Sequence, residues 1–247
     1  MAARACLIAV LLLGAAAAHA GTPCGGADLG TVTVKSAPDA RTLVLADGRT
    51  LRLAALDIPA GQAPALKSLE GQRLTLAAAD GSPDRYGRLV AFAVPAEGGQ
   101  SVQESLISEG AARVSTRIGP KACAEALLTI ERKARAAHKG LWADPNFAPL
   151  RTDDYRRFRV ERGRFVLVEG KVQSVRESGA TIYVNFGRRF TRDFSVTILR
   201  RLRGAFTAAG VEPSALQGRH IRVRGFMEFR RGPIMDMAAP EQIEIIE

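Results

Sequence analysis

The chain predicts a mostly β fold with helices packed on it (α+β), arranged as two small five-stranded barrels in succession. Three observations predict this. Short apolar runs of strand length recur between turn residues in the first half, with three helical segments among and after them. A second series of five strand-like runs follows, with one helix between the third and the fourth. The 247 residues leave room for about two domains of roughly 100–150 residues each.

In the first module, Gly30–Lys35 alternates apolar and polar residues, and Thr42–Leu45 and Thr50–Leu56 flank an Asp47-Gly48 pair. Asp-Gly between apolar runs is a hairpin signal. The third run ends at Asp57-Ile58-Pro59. A short helix with Pro64 in its first turn and Gly71 beyond its end comes next. Arg73–Ala77 and Leu89–Val94 are further strands, separated by a turn at Asp84–Arg88. Ser101-Val102-Gln103-Glu104 has the form of a capping box, and Gly110 marks the helix stop. A longer helix carries Leu127, Ile130, Ala134, Ala137 and Leu141 on one stripe, and Gly140-Leu141-Trp142 ends it.

Residues 143–163, with Pro145, Pro149 and mixed charges, read as a linker with one helical turn at most. The second module, 164–247, holds strands at Phe165–Val175, Thr181–Phe186, Asp193–Ile198, Arg219–Phe229 and Glu241–Ile246. A helix at Leu199–Ala209 sits between the third and the fourth, which is the strand order of an OB-fold.

The first 20 residues read as a signal peptide. Arg4 gives a positive start, Ala5–Ala18 is apolar or small, and Ala18-His19-Ala20 fits the cleavage rule. The expectation is an exported protein, periplasmic or extracellular, with residues 21–142 as its first domain and no membrane span after cleavage. Cys24 and Cys123 then remain, and in an oxidising compartment an even pair reads as one disulfide, two free thiols being the alternative. Those cysteines with His138 and His220 make no zinc pattern. The formal net charge is +10. From Arg151 onward Lys and Arg number 19 against 12 acids, so the excess lies mainly in the second half. A basic, arginine-rich surface favours polyanions, nucleic acid first.

Arg52-Leu53-Ala54-Ala55-Leu56-Asp57-Ile58-Pro59 and Asp84-Arg85-Tyr86-Gly87-Arg88, followed by helices at Ser101–Val114 and Ala122–Trp142, resemble the staphylococcal nuclease (thermonuclease) family in the same order. The resemblance covers about Gly30 to Trp142. It implies an OB-type barrel and, in active members, calcium-dependent cleavage of DNA and RNA. It also assigns residues. Arg52 and Arg88 match the two arginines around the scissile phosphate, which are catalytic if the protein cuts. Asp57 matches a calcium carboxylate, and Ile58 a position lending its backbone carbonyl. Arg85 and Tyr86 match residues beside the nucleotide.

Two positions depart from the family pattern. Arg41 stands where the family has a calcium-binding Asp, and Ala60 where it has a catalytic Glu. Calcium takes six to eight hard oxygens. An arginine removes one negative charge there and adds a positive one, each worth roughly 4 kcal/mol at about 4 Å and an effective dielectric near 20. The expectation is weak or absent Ca2+ binding, with Arg41 supplying the cation's charge and joining Arg52 and Arg88 on a phosphate.

In the second module the pattern of Arg219–Phe229 and the residue after it places Arg222, Arg224, Phe226 and Arg230 on one face, opposite Ile221, Val223 and Met227. Arg188, Arg189, Arg192, Tyr183 and Phe190 extend that face. Cations interleaved with an aromatic suit single-stranded DNA or RNA. Three functions follow: an exported nuclease-family protein that binds nucleic acid or nucleotides with hydrolysis weak or lost; an active metal-dependent nuclease with a rearranged site; or a non-catalytic envelope scaffold for polyanions. No protein partner is legible.

Overall fold

The computed structural model describes residues 24–79, 82–115, 119–189 and 191–246; the expected signal peptide and Phe190 lie outside them. The fold is mixed α/β, with many strands and few helices. The first module contains strands β1 (Asp28–Asp39), β2 (Thr42–Leu45), β3 (Thr50–Leu53), β4 (Leu56–Asp57), β5 (Arg73–Ala78), β6 (Leu89–Pro95) and β7 (Arg113–Val114). Its helices are α1 (Ala63–Lys67), α2 (Val102–Ser108) and α3 (Lys121–Ala136).

Strands β1, β2, β3, β6 and β5 pair in that order, and β5 pairs back onto β1 to close the ring. The alternation of the sequence sets which side chains fill it. Leu43, Leu45, Leu51 and Leu53 are buried, while Thr42, Thr50 and Arg52 turn outward. The expected continuous strand Thr50–Leu56 is broken. Ala55 has φ of 61°, a left-handed conformation that costs a residue with a Cβ about 1–2 kcal/mol. The break re-aims Leu56-Asp57 so that β4 pairs with β7 instead of continuing the barrel.

The helices start where their sequence signals place them but end earlier: α2 stops at Ser108, and Arg113–Val114, expected in the same helix, form β7. Ser101 Oγ accepts the Glu104 N–H, and Glu104 accepts the Ser101 N–H at 2.9 Å, which is the capping box. Helix α3 stops at Ala136, short of the expected Trp142, and Gly140–Ala143 forms a separate 3-10 turn. Gly140 packs on the end of α2, where a Cβ on Gly110 would lie 2.1 Å from the Lys139 carbonyl oxygen. Cys24 and Cys123 form the disulfide, joining the start of the barrel to α3.

The second module contains β8 (Leu150–Arg151), α4 (Tyr155–Val160), β9 (Phe165–Lys171), β10 (Ser174–Ser178), β11 (Thr181–Asn185) and β12 (Ser195–Leu199). Helix α5 (Arg203–Ala208), β13 (His220–Phe226), β14 (Glu228–Phe229), β15 (Pro233–Met237) and β16 (Ile243–Ile245) complete it. This module departs from the expected single barrel. The strands divide between two sheets, ordered β10-β11-β12-β15-β14 and β16-β13-β9-β8, and among the described residues no five-stranded ring closes. The run at Phe165–Val175 splits into β9 and β10, which join different sheets, and the unforeseen β15 pairs parallel with β12. Nor are residues 143–163 a free linker. β8 pairs with β9, and Phe158 of α4 is fully buried, stacked on Phe194 at 5.4 Å.

The modules are joined through a small apolar cluster, Ala134 and Trp142 against Phe165 and Leu167, and through a buried ion cluster. Arg224 of β13 donates to both carboxylate oxygens of Glu131 on α3 (2.9 and 3.0 Å), to Glu244 of β16 (2.6 Å) and to the Val114 carbonyl (3.0 Å). Glu131 also accepts the Val114 N–H at 2.6 Å. Burial alone would lower the Arg224 pKa, but the attraction and hydrogen bonds of Glu131 and Glu244 outweigh it and raise the value.

Candidate nucleic-acid interface

Topology gathers Arg41, Arg52 and Arg88. Arg52 is an outward residue of β3, which runs parallel to β6 with Leu51 opposite Leu89 and Arg52 opposite Val90. Arg88 immediately precedes β6 and is thereby carried to the same end. Arg41 lies in the β1–β2 turn, whose Asp39 accepts the Arg41 N–H at 2.6 Å. Arg88 Nη1 ties that turn down by donating to the Arg41 carbonyl (3.2 Å) and to Thr42 Oγ1 (2.9 Å).

The three side chains differ in what balances them. Arg88 pairs with Asp84 at 2.7 Å and is mostly buried. Burial would raise the Asp84 pKa, but the Arg88 side chain and the backbone N–H groups of Tyr86 and Arg88 hold it below the ordinary carboxylate range. The Arg52 side chain makes no hydrogen bond or ion pair among the described residues. Its pKa is lowered, first by burial and then by the neighbouring charge of Arg88, with Arg41 adding to it and Asp84 and Asp57 opposing. A guanidinium held without a counterion beside two others is a place where an anion relieves repulsion.

Asp57 lines the same depression as Arg41 and Arg52, but its carboxylate is already engaged. Arg113 of β7, directly opposite it, donates Nη2 at 2.7 Å and Nε at 3.2 Å to Oδ2. Both side chains are nearly buried. This donor set does not fit calcium. Among the described residues no group of three or more His, Cys, Asp or Glu side chains is placed to hold a metal ion. The one carboxylate lining the depression is shared with a guanidinium, and Ala60 offers no side-chain oxygen.

Aromatic side chains flank the cluster. Tyr86 is 66% exposed, with the Arg85 and Arg88 guanidinium carbons 4.8 and 5.2 Å from its ring centre. Phe226, from the second module, is 49% exposed and lines the depression with Arg41 and Arg52.

The other expected residues of β13 lie elsewhere. Arg224 is 1% exposed in the ion cluster, and Arg222 pairs with Glu169 and Glu244, nearly buried. Neither faces solvent as a nucleic-acid contact, because acids on β9, β16 and α3 occupy the face they point to. Arg188, Arg189 and Arg192 do not extend it either; they line a separate depression with Tyr155 and Asp153. Sequence reasoning missed Arg113, Glu131 and Glu244. Glu131 had a signal: it falls on the same α3 stripe as Leu127 and Ala134, where an acid must find a buried partner.

No helix among the described residues is long and apolar enough to cross a membrane. No curated protein significantly matches the chain. Residues 62–144, which include Arg85, Tyr86, Arg88 and the helices α2 and α3, match the family model described as staphylococcal nuclease homologue, and the chain carries there a domain similar to that nuclease.

Proposed function

We propose that this protein is an exported member of the nuclease lineage that binds nucleic acid or nucleotide phosphates through Arg41, Arg52 and Arg88, with phosphodiester hydrolysis weak or lost. The observation that carries the reading is the unpaired, partly buried Arg52 beside two further guanidinium groups, with the neighbouring carboxylate of Asp57 neutralised by Arg113. The surplus positive charge suits a phosphate oxygen, and the arginine fork suits it geometrically.

Hydrolysis asks for more. A metal ion or equivalent must stabilise developing charge, and a base must position water. Asp57 is committed to Arg113, and Ala60 has no proton-accepting group. The guanidinium cluster supplies charge stabilisation and positioning alone. Export fits the Cys24–Cys123 disulfide.

The test is an activity gel on single-stranded DNA and RNA with calcium, magnesium and chelator lanes, run beside a gel shift at the same protein concentration. Retarded but uncut nucleic acid in every lane is the expected result. Vigorous cleavage that needs a metal and is lost in Arg52→Ala would overturn the reading in favour of a working nuclease.

A further inference from the structure

We infer that Phe226 of the second module forms the base-stacking half of the site whose phosphate-binding half is the arginine cluster of the first, so that the ligand is single-stranded nucleic acid. The inference rests on the phosphate-binding reading above and adds to it a second module and a ligand class.

Phe226 ends β13, opposite Phe165 on β9, and its ring meets Phe165 edge-on at 5.7 Å. Phe165 in turn lies under the Arg113 guanidinium, 5.0 Å from its ring centre, and Arg113 is the residue that neutralises Asp57. A continuous chain of contacts, Asp57 to Arg113 to Phe165 to Phe226, therefore runs from the depression, through the second module, and back to its rim. Phe226 is not a stray surface aromatic. It is held from below while about half its surface stays in water, beside Arg41 and Arg52 in one depression.

Among the described residues, Tyr86 and Phe226 are the two highly exposed aromatic side chains, and both border the guanidinium cluster. Cations that track phosphates together with an aromatic face that stacks a base are the pairing used on single strands, where bases are free. In a duplex the base faces are covered by their neighbours, leaving only phosphates for the arginines. The buried Arg224–Glu131–Glu244 cluster fixes β13 against α3 and so keeps Phe226 at the rim.

The experiment uses the full chain after removal of residues 1–20 and two labelled oligonucleotides of equal length, oligothymidylate and its abasic counterpart, read by fluorescence anisotropy. Wild type is expected to bind the oligothymidylate at least about fivefold more tightly than the abasic strand. Phe226→Ala should erase that preference, while Phe226→Trp should keep it. An unchanged thermal midpoint in Phe226→Ala guards against reading a folding defect as lost stacking. If wild type does not distinguish the strands, or Phe226→Ala weakens both equally, the stacking inference falls and the phosphate reading stands. If Arg52→Ala leaves binding of both strands unchanged, the phosphate reading falls, and this inference with it.

Discussion

Arg224 and Arg52 are both withdrawn from water, yet their surroundings are opposite. Arg224 is completely buried and meets two carboxylates and a carbonyl. Arg52 is partly buried near Arg88 and Arg41, with Asp84 and Asp57 offsetting only part of their charge, and its side chain has no hydrogen-bond partner among the described residues. The first arrangement is internally balanced and holds two modules together. The second carries surplus positive charge in the folded chain, which an anion would offset. An arginine count does not separate these roles; the charges facing each guanidinium do.

The largest expected effect is on stability. Arg224→Met removes the most buried partner of Glu131 and Glu244, leaving only the longer pairs to Arg135, Arg132 and Arg222, and should destabilise the fold by about 3–5 kcal/mol. Arg52→Met should change stability by no more than about 0.5 kcal/mol in either direction, since it removes repulsion and no bond. Urea unfolding of both variants measures this, and equal losses would erase the contrast between the clusters.

Binding should invert the ranking. Arg52→Ala is expected to weaken single-strand affinity about 10–100-fold, the loss of a charge-assisted hydrogen-bond donor. Arg222→Ala, engaged with Glu169 and Glu244, should stay within about twofold in the same titration. A smaller but diagnostic effect is salt. If three phosphates are neutralised, affinity for a single strand should fall about 20-fold between 50 and 200 mM salt. Loss of one arginine should make that slope shallower.

The last prediction concerns acid. Burial pushes the Glu244 pKa up, but Arg224, then Arg222 and Arg135, pull it below the ordinary value. A carboxylate with a depressed folded pKa contributes stability above its unfolded value, and that contribution is lost as pH falls through the folded one. The fold should therefore weaken below about pH 4, where unfolded carboxylates take up protons. Glu244→Gln should show a shallower decline over that range in thermal melts at stepped pH.

Much of the first module was legible because its signals are local. The Asp47-Gly48 turn, the Ser101/Glu104 capping box and the alternation through Leu43, Leu45, Leu51 and Leu53 each act within a few residues. Arg41, Arg52 and Phe226 were named from the chain and line one depression. Arg222 and Arg224 were misread because alternation tells which side a strand residue faces, not what covers that side. The acids that bury them come from positions 131, 169 and 244, far away in sequence. Arg113 escaped for the same reason, since its partner Asp57 is brought opposite it only by the break at Ala55. The short β15 was missed because the five residues Pro233–Met237 carry too little pattern to distinguish strand from loop.

Whether arginines have taken the place of the metal is tested most directly by calorimetric titration of a nucleoside bisphosphate into the purified protein, once in chelator and once in calcium. The same affinity is expected in both, with its loss in Arg52→Ala. Binding that appears only when calcium is added would mean that Asp57 leaves Arg113 to hold the ion, and would contradict it.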